Sequence, residues 1–288
     1  MVLGLDTVIG QKGRFCKGLK EKIFFLMPDN NHKLSVCMLA SGSRGNAVFV
    51  SDGSTSILVD AGLSGIEIER RLKSQELCPE NLDAIVVSHE HFDHIHGVGV
   101  LSRRFDLPVF ITEQTSRAAC SHIGKVKNIV NFESGTSFAI NSLTIHPFPT
   151  SHDAEDPVGF TINLDKTKIG IATDLGIATS MVKEHLKDCS LLILEANHDK
   201  DMLINGPYPW ELKQRIKNRT GHLSNEESKN LLSAVCHDML QHVILAHMSE
   251  TNNTPEKALN IIGPALTNKN IQLSVATQNE SGSVIHLK

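Results

Sequence analysis

From Leu34 onward the chain alternates short apolar runs with glycine-rich or polar breaks, the rhythm of a strand-rich fold. Three runs open it, Ser35 to Leu39, Ala47 to Ser51 and Ser56 to Asp60, and their short spacing predicts a meander. Residues 64 to 74 set Ile66, Ile68 and Leu72 among charges, the stripe of an amphipathic helix. A strand at 84 to 87, a helix over about 94 to 104 and a strand from Pro108 to Ile111 follow. The second half repeats the theme with strands at Thr136 to Ile140, Leu143 to Pro147, Val158 to Leu164 and Lys168 to Ala172. A helix near 178 to 187 then precedes the apolar Leu191-Leu192-Ile193-Leu194. Ser224 with Glu227 spells a capping box, so a helix starts at Asn225 and runs to about His237, and Thr254-Pro255 starts another. Strands near 242 to 246, 271 to 275 and 283 to 287 complete a pattern that by itself predicts α/β or α+β.

Residues 1 to 33 lack this periodicity and end in the polar, turn-forming Pro28-Asp29-Asn30-Asn31-His32-Lys33. One domain is therefore expected over 34 to 288. The extension before it reads as a flexible tail or as sequence upstream of a start at Met27, with a helical docking arm using Phe24 and Phe25 as the alternative.

Composition narrows the class. With 40% apolar and 21% charged residues the chain reads as an ordinary globular protein. A net charge of −4 removes any global basic field for gathering nucleic acid, although a local patch or bound metals could still hold phosphates. Cys16, Cys37, Cys78, Cys120, Cys189 and Cys236 show no C-x-x-C spacing, and they read as reduced, mostly buried thiols of a cytoplasmic protein. No apolar run reaches the roughly 20 residues of a membrane span, and Ile23 to Met27 is too short for a signal-peptide core.

The chemistry is concentrated in Ser88-His89-Glu90-His91-Phe92-Asp93-His94, directly after the apolar Ala84-Ile85-Val86-Val87. Side chains at 89 and 91 point the same way on an extended backbone and can converge on one ion, while Asp93 and His94 come at the turn and can face a second. Imidazole nitrogen with carboxylate oxygen suits zinc, manganese or iron(II) rather than calcium or magnesium. The spacing suggests a two-metal site.

This H-x-H-x-D-H loop resembles the signature of the metallo-β-lactamase-fold hydrolases. The resemblance continues, in that family's order, through His152 in Thr150-Ser151-His152-Asp153-Ala154, Asp174 in Ala172-Thr173-Asp174-Leu175-Gly176 and His247 in Leu245-Ala246-His247-Met248-Ser249. Leu39 to Asn46, Ile57 to Gly62, Glu195-Ala196-Asn197-His198-Asp199, Gly221 to Asn225 and Asn252-Asn253 are similar to the YycJ/WalJ branch, bacterial proteins described as metal-dependent nucleases. It covers roughly residues 34 to 288; the extension departs from it. It implies a four-layer αβ/βα sandwich of two mixed β-sheets flanked by helices. It also implies two divalent ions, zinc or manganese with iron(II) admissible: His89, His91 and His152 on one, Asp93, His94 and His247 on the other, Asp174 bridging. His222 occupies a place similar to the extra histidine of ribonuclease Z, and is expected to assist at the phosphate as a catalytic group beside Asp93. His222 could instead only hydrogen-bond its turn.

Around this set, the glycine-rich loop with Ser43 and Arg44 could hold a phosphate. The run Lys213, Arg215, Lys217 and Arg219, with Tyr208 and Trp210 ahead of it, could follow a nucleic-acid backbone or form a solvated helix face. The expected function is a dinuclear phosphodiesterase that hydrolyses nucleic acid, DNA by resemblance, as an exonuclease using a metal-bound hydroxide. A hydrolase of a small ester, lactone, thioester or cyclic phosphodiester shares the same ligands. A mononuclear iron dioxygenase and a non-catalytic regulatory protein are weaker alternatives, the last because degenerate members usually lose ligands. A homo-oligomer is compatible with the sequence, and no protein partner is deducible from it.

Overall fold

The computed structural model describes residues 34 to 288 apart from 267 and 269, so the expectations for the extension fall outside the described residues. The first three apolar runs form the antiparallel meander β1 (Ser35–Ala40), β2 (Ala47–Ser51) and β3 (Ser56–Val59), to which β4 (Ala84–Val86), β5 (Val109–Ile111) and β6 (Ile129–Asn131) add in parallel. The second sheet is built by the same recipe. Strands β7 (Phe138–Ile140), β8 (Leu143–Pro149), β9 (Val158–Leu164) and β10 (Thr167–Ala172) run antiparallel, and β11 (Leu191–Glu195), β12 (His242–Ala246) and β13 (Gln272–Val275) extend them in parallel. The last strand, β14 (Ile285–His286), returns to pair with β1, so each sheet has seven strands among the described residues.

Helices α1 (Gly65–Ser74), α2 (Phe92–Ile95), α3 (Val98–Phe105) and α4 (Glu113–Ile123) belong to the first half. Helices α5 (Ser180–Leu186), α6 (Lys200–Asn205), α7 (Trp210–Lys217), α8 (Asn225–Val235) and α9 (Pro255–Ile262) belong to the second. Strand alternation then sorts the layers. Val36, Met38, Val50, Ile57 and Val59 meet Ile145, Phe160, Ile169, Ile193 and Ile244 between the sheets. Cys37, Leu39, Leu58 and Ile85 face the other way, onto Ile68 and Leu72 of α1, Leu101 of α3 and Ala119 of α4. Leu192, Leu194 and Leu245 pack on α5, α8 and α9 in the third core. The order helix, sheet, sheet, helix is the sandwich that the resemblance implies.

Local departures have physical causes. The single helix expected over 94 to 104 is broken at Gly97, where a Cβ would lie 2.4 Å from the carbonyl oxygen of Leu63. Ile66 belongs to no buried stripe and is 75% exposed. Helix α4 carries few apolar residues and α6, at six residues, is too short to show a stripe; Thr112 and Asp199 cap them. Cys37, Cys120 and Cys189 are free, while Cys78 is disulfide-bonded, against the expectation for that residue. No helix among the described residues is long and apolar enough to cross a membrane.

Three hydrogen bonds fix the loop that carries the histidines. The Gly62 N–H donates to Asn46 (2.8 Å), the Asn46 N–H to the carbonyl of Asp93 (2.7 Å), and the Ala61 N–H to that of His94 (2.8 Å). A Cβ on Gly62 would stand 1.7 Å from the Asp93 carbonyl oxygen, inside backbone that cannot yield. Gly62→Ala is therefore expected to cost about 3 kcal/mol in a urea titration, the upper range for overpacking, and to weaken metal uptake. Unchanged stability would mean that the turn at 60 to 62 does not clasp the loop.

Candidate metal centre

The donors arrive from strand ends on one rim of the sandwich. His89, His91, Asp93 and His94 follow β4, His152 follows β8, Asp174 follows β10, Glu195 ends β11 and His247 follows β12. Asp60, Asp174 and His247 each leave a strand with positive φ, at 59°, 55° and 52°. Such left-handed backbone is strained for residues other than glycine, by roughly 1 kcal/mol or more each. It turns each side chain toward the rim.

All seven residues expected as ligands meet there. His89, His91 and His152 form one group of donor atoms within 4.8 Å of one another, and Asp93, His94 and His247 form a second. Asp174 lies between them: Oδ2 is 3.2 Å from His94 Nε2, and Oδ1 is 3.6 Å from both His152 Nε2 and His247 Nδ1.

Hydrogen bonds on the far side of each ring decide which nitrogen points inward. The Nδ1 atoms have outer partners: Asp60 Oδ2 for His94 at 2.8 Å, Ser88 Oγ for His89 at 3.0 Å, the Gly221 carbonyl for His152 at 3.2 Å and Glu195 Oε1 for His247 at 2.9 Å. Nδ1–H donation outward leaves each Nε2 lone pair facing the cluster. His91 is the exception and presents Nδ1, 3.1 Å from His89 Nε2 and 3.3 Å from His152 Nε2. Bare nitrogens this close repel unless something positive lies between them. His247 Nε2 and Asp174 Oδ2 are, moreover, buried with no hydrogen-bond partner among the described residues.

The charges point the same way. Burial lowers the pKa of His94 and His247, but Asp174 and the other nearby carboxylates outweigh it and hold both imidazoles well above their ordinary range. Asp174 is pushed up by burial and pulled further down by His247 and His94, so its carboxyl stays ionised. His89 is driven well below its ordinary pKa, chiefly by burial. A buried site that retains protons against desolvation is one where cations can replace them. Nitrogen and carboxylate donors of this kind fit zinc, manganese or iron(II).

His222 lies beside the cluster. Its Nδ1 is 2.8 Å from Glu195 Oε1, the same oxygen that His247 uses. The other Glu195 oxygen accepts the N–H groups of Leu175 (2.9 Å) and Leu223 (3.1 Å). Burial raises the Glu195 pKa, and the two imidazoles outweigh it, bringing it to about 2. Glu195 and Asp60 carried no assigned role in the sequence; both lie in segments quoted for the resemblance, which was the available signal. The asparagines of those segments have a structural role. Asn197 Nδ2 donates to the His247 carbonyl, and Asn225 and Asn253 exchange amide bonds of 2.9 and 2.8 Å, tying together the loops of Glu195, His222 and His247.

A cavity of about 190 Å³ opens over the cluster, lined by His91, Asp93, His152 and His222, with Ser43 and Arg215 also on its wall. Arg215 Nε is held 2.6 Å from Asp153 Oδ2. The other expected substrate residues lie off this wall. Arg44 pairs with Glu250 at 2.5 Å, Tyr208 is half-buried, and Lys213 Nζ donates to the carbonyls of Ile204 and Gly206, each at 2.8 Å. In the glycine-rich loop the N–H groups of Gly42, Arg44 and Gly45 are taken by Asn46 Oδ1, Gln278 Oε1 and the Gly42 carbonyl. They are not available to cradle a phosphate.

Comparison with known proteins agrees with this geometry. The family described as Beta-lactamase superfamily domain matches residues 55–248. "Exodeoxyribonuclease YycJ" of Bacillus anthracis is 37% identical over 238 residues, covering 82% of this chain and 90% of that protein. "Exodeoxyribonuclease WalJ" of Streptococcus pneumoniae is 37% identical over 225 residues, covering 77% and 84%. Among solved structures, the metallo-beta-lactamase fold protein YhfI of Bacillus subtilis superposes with a TM-score of 0.70 at 17% identity, over 88% of this chain and 99% of that one. The short form of human tRNase Z gives 0.60 at 16%, over 86% and 98%. At these identities the two structures bear on the fold alone.

Proposed function

Because the chain belongs to the metallo-β-lactamase superfamily of metal-dependent hydrolases, we propose that it is a dinuclear phosphodiesterase that removes nucleotides from an end of a DNA strand. The observation that carries this reading is the largely buried seven-donor cluster opening into a cavity walled by His222 and Arg215. Relatives named as exodeoxyribonucleases, matched over most of their length, support the polymer substrate.

Two divalent cations held by these donors would polarise a phosphodiester and bring the pKa of a water toward neutrality. Zinc and manganese both suit the donor set, and iron(II) is admissible. The chain's own groups do the rest. Asp93, on the cavity wall, accepts a hydrogen bond from the attacking water and orients it. Arg215, its Nε fixed by Asp153, offers its remaining N–H groups to a non-bridging phosphate oxygen. His222 donates Nδ1–H to Glu195 and turns Nε2 toward the departing sugar oxygen, where it supplies a proton.

The test incubates protein reconstituted separately with Mn²⁺ and Zn²⁺ with end-labelled single- and double-stranded DNA and RNA. Metal-dependent shortening from one end of DNA is the expected result. Absence of any cleavage, alongside rapid turnover of a small ester, would replace this reading with that of a small-ester hydrolase.

A further inference from the structure

Resting on that nuclease reading, we propose that Phe92, with the imidazoles of His96 and His122 packed on it, forms a base-stacking subsite for the nucleotide flanking the phosphate at the metal centre. Phe92 is flanked in sequence by His91 and Asp93, both on the cavity wall, which sets its backbone at the edge of the site although its ring is not part of that wall. Its ring is 56% exposed although it opens α2, whose Ile95 is buried in the core. A single exposed phenylalanine is unremarkable by itself. This one is held in place: His96 stacks on it with centroids 4.4 Å apart at an interplanar angle of 29°, and His122 of α4 approaches edge-on at 6.1 Å and 67°.

A ring supported on one face and open on the other is a ready platform, because little side-chain freedom is lost when a base settles on it. Base–aromatic stacking tolerates any sequence, as an exonuclease without sequence preference requires. Cationic groups stand beside it. Arg103 Nη1 donates to the carbonyls of Ile123 (2.9 Å) and Lys125 (3.0 Å), which fixes a guanidinium next to the end of α4 that carries His122, with Lys125 exposed alongside. Aromatic faces with neighbouring cations suit a nucleic-acid strand, whose bases stack and whose phosphates pair. The apolar strip continues along α3 through the half-exposed Val100, so the competing occupant is a second copy of this chain.

Kinetics of the metal-loaded enzyme on single-stranded DNA, with abasic sites placed in turn on either side of the scissile phosphate, separate these. Phe92→Ala is expected to raise KM about 5- to 150-fold, the factor lost with one base–aromatic stack, and the penalty should shrink sharply at one abasic position. Phe92→Trp should restore binding while Phe92→Leu should not. Anisotropy of the same labelled strands with the metal-free protein gives the same comparison without turnover. An equal penalty on normal and abasic strands, or rescue by leucine, would overturn the proposal in favour of packing of the loop. Unchanged KM with a shift in sedimentation on Phe92→Ala would overturn it in favour of a self-association surface. A parent enzyme that cleaves no strand removes the nuclease reading and this subsite with it, whereas normal cleavage without a Phe92 effect removes the subsite alone.

Discussion

Asp174→Ala should lower kcat/KM on a DNA strand by roughly 10³-fold or more, above the 10²–10³ lost with one electrostatic donor, because in the dinuclear reading proposed above both metal positions depend on this residue. Among the described residues its carboxylate is the one acidic group within 3.6 Å of nitrogens from both clusters, His94 and His247 on one side and His152 on the other. Without it, two cations would face each other with no shared counter-charge, so at least one should be lost. Metal analysis per chain should fall from two toward one or none, in step with activity. The parent should also gain about 4 kcal/mol of unfolding stability at a metal concentration 1,000 times its Kd, a gain that the variant lacks. The metal-free variant should be weakened as well, since His94 and His247 draw on Asp174 to stay protonated. That contribution carries a sign. Their folded pKa values are raised, so the stabilisation is complete below about pH 6.5 and disappears as pH rises through the raised values; the difference between parent and variant in metal-free buffer should be largest in mild acid. Two metals retained with full turnover in the variant would remove Asp174 from the site.

How much of this was legible in the sequence depended on the kind of signal. Strands β9 and β12 were readable almost to the residue, because both are mostly apolar between turn-forming or polar neighbours, such as Pro157 and Asp165 around β9. Helix α8 announced itself through its capping box, which forms as expected between Ser224 and Glu227. Helices α4 and α6 did not, because the first carries few apolar residues and the second is too short to show a stripe. The same distinction runs through the site. The four donors at 89 to 94 are close in sequence and need only a turn to converge, whereas His152, Asp174 and His247 are brought beside them by three separate strand ends, and only resemblance singled them out. Glu195 entered only as part of a resembling segment and was given no role, because a carboxylate ending a hydrophobic strand looks like a boundary. Its importance appears once two imidazoles are seen to share one of its oxygens. Lys213 shows the reverse: a basic residue near the site reads as a phosphate contact, while its ammonium in fact closes the end of α6 on two carbonyls.

His222→Ala should slow turnover by about 10²–10⁴-fold, the range for a positioned proton donor, while both metals stay bound. The reason lies in what each ring nitrogen does. Nδ1 of His222 is 2.8 Å from Glu195 and 3.9 Å from Asp174, so it serves a carboxylate rather than the cluster, and the free side of the ring lines the cavity. The loss should fall on kcat more than on KM, since the leaving oxygen carries its charge only in the transition state. Glu195→Gln distinguishes this direct role from an indirect one. A glutamine offers one acceptor oxygen where four N–H donors now converge on two, so its amide nitrogen must face either two imidazoles or the backbone of Leu175 and Leu223. That variant should lose about 1–3 kcal/mol of stability and should weaken metal binding through His247. The sign of the pH effect follows from the depressed Glu195 pKa of about 2. Its stabilisation is complete above the ordinary carboxyl range and drains away as pH falls toward 2, so the gap between parent and Glu195→Gln should narrow in acid. If His222→Ala instead sheds a metal as Glu195→Gln is expected to do, His222 is a ligand or a brace for one, and protonation of the leaving group must come from elsewhere.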